Sequence, residues 1–339
     1  MTTPQFDAQY YKTVIEMFGY DALEFAPIDF AIGSLDTALV QRRWLCHHDG
    51  HAFLEASAAG RPCIVTTGFG LSGTPHIGTL SQILGAILLQ RAGIAVQIVL
   101  GDLDAYNARG QSLAVVSERE ARYRQFILNL GFDPTLGTLR NQRESLDVLE
   151  IAYLAARHIS DSDFLATEED ISEYYVKHAA YPGMTFPVKL AILLMIADFI
   201  ALHERNTAVL VMLGIDEHRY VRLARAVAAE MTQRTVSGLY SRMNRGLQGH
   251  PKMSKSLPGS AISVDMSPDE IRTAVMSEPD TSPLPMESPI FQMICATGNY
   301  EAVTIDQMFQ HRLAGGAEWL RDRQDFVERL IAMCAMWPK

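Results

Sequence analysis

The stretch "TGFGLSGTPHIGTL" at residues 67–80 decides the fold. It leads from an apolar β-type segment, "CIVTTGFG" (63–70), into a helix marked by Leu80, Ile83, Leu84, Ile87 and Leu88 at helical spacing. Gly68, Gly70 and Gly73 allow tight turns and close backbone approach to a ligand. A helix starting near Pro75 offers unpaired N–H groups and a positive dipole end to a phosphate. His76 is placed to hydrogen-bond a phosphate oxygen, and Gly78 leaves room for a flat base or a ribose. Alone, such a loop is equally well a plain turn of an α/β protein, and both readings stand at this point.

Two further segments repeat the pattern of apolar run, glycine or acid, then helical period. They are "VQIVLGDLDAY" (96–106) and "AVLVMLGIDEH" (208–218), the latter followed by Leu223, Val227 and Met231 on one helix face. Near-continuous apolar strands suit a parallel sheet covered by helices on both faces. The polar candidates all fall just past the strand ends, the edge where open α/β sheets bind ligands. The expected fold is therefore α/β, a doubly wound parallel sheet of Rossmann-like type. Residues 1–60 read as a helical segment packed on the catalytic domain, 61–262 as that domain, and 111–187 as a helical connection within it. "SPDEIRTAVM" opens with Ser267 as an N-cap, and "GAEWLRDRQDFVERLIAMCAM" (316–336) is amphipathic, so 263–339 reads as a short helical domain.

Composition bounds the function classes. The chain has 339 residues, 48% hydrophobic and 20% charged, which places it with ordinary globular proteins. Its longest apolar run, "LAILLMIADFIAL" (190–202), contains Asp198 and is too short to span a bilayer. "MTTPQFDAQYYK" lacks the basic start and apolar core of a signal peptide, so a cytoplasmic location is expected. Cys46, Cys63, Cys295 and Cys334 form no C-x-x-C pair, which fits a reducing compartment. A formal net charge of −10 disfavours a general nucleic-acid coat without excluding a local basic face.

A second loop tips the balance for the first. "HPKMSKSLPGS" (250–260) sets Lys252 and Lys255 three apart, with Ser254 and Ser256 between and after them. Two lysines and two hydroxyls on one loop suit a triphosphate and a departing pyrophosphate. Lys252 lies 176 residues beyond His76. The pair of loops resembles the HIGH and KMSKS signatures of the class I aminoacyl-tRNA synthetases, the first in three of four positions ("HIGT", 76–79) and the second completely (252–256). "YYKTVIEMFG" (10–19), "RRWLCHHD" (42–49), "GIDEHRYVRLARAVA" (214–228) and "LQGHPKMSKSLPGSAI" (247–262) are similar to segments of the archaeal and eukaryotic tryptophanyl branch, with the tyrosyl branch as close kin. "VLGDLDAYN" (99–107) resembles either.

The resemblance implies ATP- and Mg2+-dependent formation of an aminoacyl-adenylate, followed by transfer to tRNA, in a homodimer without a membrane partner. His76, Thr79, Lys252 and Lys255 are then the catalytic set. Gly68, Gly70, Gly78, Gly214, Asp216, Met253, Ser254 and Ser256 are expected around ATP. Thr66, Asp104, Asp198 and Glu217 are expected around the amino acid, with Met195 beside Asp198. Two rival readings keep the fold: a ligase that hands the activated amino acid to a small molecule or protein, and a silent nucleotide-binding paralogue.

Three departures qualify the resemblance. Thr79 stands where HIGH has its second histidine. Thr66 and Glu217 stand where the tryptophanyl branch has an indole-packing tyrosine and an indole-binding glutamine, so the substrate is expected to differ from tryptophan. Only 83 residues follow Ser256, so a reduced anticodon-binding part is expected. Arg312, Arg321, Arg323 and Arg329 read either as tRNA contacts or as a solvated helix face. "CHHDGH" (46–51) is too compressed for Cys46, His47, His48 and His51 to converge on one zinc, and no metal site is expected.

Overall fold

A computed structural model describes residues 6–168, 183–205, 207–232, 234–255 and 257–339. Ser256 and the 169–182 part of the expected helical connection lie outside the described residues. Strands β1 (Asp21–Ala22), β2 (Cys46–His48), β3 (Cys63–Gly70), β4 (Val96–Gly101), β5 (Gly137–Asn141), β6 (Ala208–Gly214) and β7 (Ser237–Ser241) form one sheet in the order β1-β2-β7-β6-β3-β4-β5. The block from β7 to β5 is parallel throughout, β2 joins it antiparallel to β7, and β1 pairs antiparallel with β2. The chain order reverses between β3 and β6, which opens a crevice at their carboxyl ends.

The apolar runs are continuous because both sheet faces are covered. Along β6, Leu210 and Met212 join the core on one face, while Val209, Val211 and Leu213 join the core on the other. Each such buried side chain contributes about 1.5–3 kcal/mol, and a one-residue slip would exchange the two sets between differently shaped cores. The Phe186–Glu204 helix packs against β6 on the second face. It is longer than the 13-residue apolar run expected, because Phe186, Pro187 and Val188 start it one turn earlier and His203 and Glu204 close it. An 18-residue window, Phe186–His203, is long and apolar enough to cross a membrane by length and composition, yet 67% of it is buried within the protein. It is a core helix that carries Asp198 to the site.

The first 60 residues differ from the helical segment expected. They contribute β1 and β2 as well as helices Ala8–Phe18, Thr37–Arg43 and Gly50–Ala58. Strands of two and three residues carry no periodicity, and β2 exists because its backbone pairs with Leu239 and Tyr240 of β7. Strand alternation there points Cys46 and His48 to one face and His47 to the other. His47 Nδ1 instead accepts the N–H of Gly50 at 3.2 Å. Beyond residue 263, helices Pro268–Ser277, Pro289–Thr297, Ala302–Ala314 and Gly316–Cys334 share one apolar cluster with the Ile77–Arg91 helix.

Candidate active site

His76 caps the Ile77–Arg91 helix, which starts two residues later than Pro75 suggested. Its Nδ1 accepts the backbone N–H of Gly78 at 2.9 Å. A ring nitrogen that accepts carries no proton, so the neutral tautomer has its hydrogen on Nε2 and can donate from there. Burial, with Lys255 and Lys252 nearby, pushes the His76 pKa down to about 3, so the ring stays neutral across the working range. Gly78 is needed beneath it: a methyl there would meet His76 Cε1 at 2.7 Å. Gly78→Ala is expected to dislodge the ring and cost about 0.5–2 kcal/mol of helix capping, with a raised KM for ATP. Denaturant unfolding and steady-state kinetics measure the two effects separately.

The second loop folds back onto the first. Ile77 N–H donates to Ile262 at 3.1 Å and Val264 N–H donates to Pro75 at 3.0 Å, while His76 pairs with Ser263 as a short antiparallel bridge. Loops far apart in sequence thus share one cavity of about 610 Å³. His76, Thr79, Gly68, Gly70, Gly78, Gly214, Asp216, Lys252, Met253, Ser254 and Lys255 line it, with Asp104, Asp198, Glu217 and Met195. Thr66 does not. Its hydroxyl accepts Gln97 Nε2 at 3.2 Å, behind the cavity wall, which corrects its expected contact with the amino acid.

Charge is divided across the cavity. Lys252 is buried, and its Nζ lies 2.6 Å from Asp216 Oδ2, so the carboxylate expected around ATP is bonded to a signature lysine. Gly214 has no side chain because Asp216 Oδ1 occupies the space, and Gly70 makes the same room for Asp104. Two of the four expected cradle glycines therefore clear carboxylates. Lys255 Nζ donates to Tyr123 Oη at 3.1 Å and to Gly73 O at 3.4 Å. Although Lys255 is exposed at the surface, desolvation of its ammonium, then Arg119 and Arg109, push its pKa down to about 8 against the pull of Asp104. Desolvation raises Asp104, while Arg109 and Lys255 oppose it.

Asp198 ends the opposite side. Val188, Ala191, Ile192, Met195, Asp198 and Phe199 recur at helical spacing as one face of the Phe186–Glu204 helix toward the cavity. Asp198 is the only charged member of that face. Its Oδ1 takes Arg140 Nη2 at 2.5 Å, and Arg140 Nε donates to Gln97 Oε1 at 3.2 Å. Desolvation raises the Asp198 pKa despite that partner. Gln142 lines the cavity beside it and accepts the Asp104 N–H at 3.0 Å.

Sequence reasoning missed Arg109, Arg119, Tyr123, Gln142 and the Thr66–Gln97–Arg140–Asp198 chain. Helical phase relates Arg119 to Tyr123, four apart on the Leu113–Asn129 helix, but nothing local aims that face at a loop near residue 73. Two of the tail arginines, Arg312 and Arg323, fit neither expected reading, whereas Arg321 and Arg329 are exposed on a solvated helix face. Arg312 and Arg323 are buried, Arg312 against Asp280 and Arg323 against the carbonyls of Val275 and Glu278. Arg321 pairs with Glu318, and Arg329 with Asp325. Among the described residues no cluster of three or more His, Cys, Asp or Glu side chains is arranged to hold a metal.

The Lys255 value gives a pH test. Its ammonium is charged below about pH 8 and neutral above, so kcat/KM for ATP is expected to fall on the alkaline side of that value. His76 contributes no acid limb near pH 6 because it is already neutral there. A pH–rate profile with Lys255→Arg, which stays charged, checks the assignment.

A family model described as "tRNA synthetases class I (W and Y)" matches residues 58–283. Among curated relatives, the tryptophan–tRNA ligase of Pyrobaculum calidifontis is 26% identical over 258 residues, 74% of this chain and 67% of its own. The tyrosine–tRNA ligase of Methanopyrus kandleri is 30% identical over 222 residues, 62% of each chain. The crystal structure of the tryptophanyl-tRNA synthetase from Aeropyrum pernix has the same fold at a TM-score of 0.76, with 20% identity, covering 97% of this chain and 92% of that one. That of the Encephalitozoon cuniculi tryptophanyl-tRNA synthetase bound to tryptophan gives 0.71 at 19% identity, covering 96% of each.

Proposed function

This chain belongs to the class I tRNA synthetases of the W and Y group, and we propose that it activates an amino acid with ATP and transfers the aminoacyl group to a tRNA. One observation carries the activation step: both signature loops close on a single cavity that holds a neutral His76 and two lysines. The amino-acid carboxylate attacks the α-phosphorus of Mg-ATP, whose metal ion enters with the nucleotide. A C–O–P bond forms, the bond to the β-phosphoryl oxygen breaks, and pyrophosphate leaves with the electron pair. The nucleophile is already ionised, so alignment and charge stabilisation suffice. His76 Nε2–H donates to phosphate oxygens, Lys252 and Lys255 meet the leaving group, and Thr79, buried one helical turn on, supplies a hydroxyl.

Asp104 provides an acceptor for the substrate ammonium, and Glu217 accepts an N–H bond from the substrate or pairs with a cationic one. The amino acid is one other than tryptophan: Glu217 lines the cavity where the tryptophanyl branch has its indole-binding glutamine, and the helix face toward the pocket ends on the Arg140-bound Asp198. A homodimer and a cytoplasmic location are part of the proposal on the resemblance alone. Transfer to a non-tRNA acceptor and a silent paralogue are not favoured, since the named relatives are tRNA ligases and both signature lysines are retained.

ATP–pyrophosphate exchange with each standard amino acid in turn tests this, with Lys252→Ala/Lys255→Ala as control. Exchange with one amino acid, lost in the control, is expected. Absence of exchange with all twenty overturns activation of a standard amino acid, and a wide preference for tryptophan overturns the pocket reading.

A further inference from the structure

Tyr123 is fully buried, yet its hydroxyl sits where the two signature loops meet. It donates to Gly73 O in the first loop at 2.9 Å and accepts Lys255 Nζ from the second at 3.1 Å. The phenol has one proton, committed to Gly73, so a lone pair is what it presents to the ammonium. The ring is fixed on two sides. Trp337 meets it edge-on at 5.3 Å and Phe69 of β3 lies tilted at 5.6 Å. Trp337 is itself held by Phe126 at 5.3 Å and by the Arg122 guanidinium 4.9 Å over its ring, while Arg122 also donates to the Pro338 carbonyl.

The two signature lysines are thus tethered differently. Lys252 is bound to a carboxylate, whereas Lys255 is bound to a phenol and a carbonyl, both neutral. A neutral acceptor orders a cation while giving it up more readily to a phosphate than a carboxylate does. We propose that Tyr123 is a positioning residue that stations Lys255 over the Gly73 turn, from which it passes onto the β- and γ-phosphates of incoming ATP. This rests on the adenylation reading above. The charged groups facing Lys255 are Arg119 on the helix of Tyr123 and Arg109 and Asp104 on the Asp102–Arg109 helix, and the neutral, titratable His76 faces it from the first loop.

The test is binding of a non-hydrolysable ATP analogue by calorimetry, from pH 6.5 to 9.5, to the full chain and to Tyr123→Phe, Lys255→Ala and the double variant. The phenylalanine keeps the ring against Trp337 and Phe69, and circular dichroism checks the fold. Tyr123→Phe is expected to weaken binding about fivefold to tenfold and to move the alkaline fall in affinity to lower pH. The double variant is expected to bind no more weakly than Lys255→Ala, because the two side chains act as one unit. Native affinity and an unchanged pH midpoint in Tyr123→Phe would overturn the proposal, as would strictly additive losses. No analogue binding by the native chain would instead sink the nucleotide-site reading, and this proposal with it.

Discussion

Lys252→Ala is expected to slow pyrophosphate exchange by about 10²–10³-fold at saturating ATP and amino acid, on the scale of losing a preorganised transition-state donor. The size follows from burial. Lys252 is 7% exposed, so its ammonium acts on the phosphates with little solvent screening. It is bonded to Asp216 Oδ2, so the phosphates compete with a carboxylate for it and its full effect appears only as charge builds on the leaving group. The loss should fall on kcat, with amino-acid affinity little changed. Lys252→Arg should not restore the rate, since a planar fork cannot replace a point charge in a site shaped around Asp216. Exchange kinetics alongside equilibrium binding of the amino acid measure the split, and a loss below tenfold would remove Lys252 from the catalytic set.

The second large effect is on stability. Arg140→Met leaves the Asp198 carboxylate buried without its cation, an arrangement that costs about 3–5 kcal/mol. Replacing both partners by apolar residues, Arg140→Met with Asp198→Leu, should recover most of that loss, because the desolvation cost goes with the charges. The pH sign is definite. The folded pKa of Asp198 lies above its unfolded value, so the folded state prefers the protonated acid. Without Arg140 to oppose desolvation the folded pKa of Asp198 rises further, so the deficit against the native chain opens only as pH rises past the native chain's own raised Asp198 pKa and vanishes where the acid is protonated in both. Urea unfolding of the native chain and both variants at pH 5 and pH 8 checks size and sign together. A single variant as stable as the native chain would mean that the pair is not desolvated.

The two predictions differ in how visible their residues are along the chain. Lys252 stands in a contiguous signature, and its partner loop announces itself by glycines, a histidine and a helix start. Such features are local: a strand end, a turn and a helix N-terminus occupy adjacent residues, so their chemistry is written in order. Likewise β6 reads as a buried parallel strand because both its faces are apolar. Arg140 has no such mark. It lies near the end of a five-residue strand, and only the β4–β5 register that sets Gln97 opposite Thr138 brings it beside Gln97. The same holds for β1 and β2, which are too short for any period.

What the sequence determined by itself, then, was the α/β class, the position of the crevice and the two loops that meet there. These depend on periodicity and on turn chemistry, which act over a few residues. Tertiary structure alone decided that Thr66 turns away from the cavity, that Asp216 holds Lys252, that Asp198 is bonded to Arg140, and that Tyr123 reaches Lys255 across 132 residues. Each of these is a side-chain pairing between elements distant in the chain. Its partner is chosen by sheet order and helix packing, which no short stretch of residues specifies.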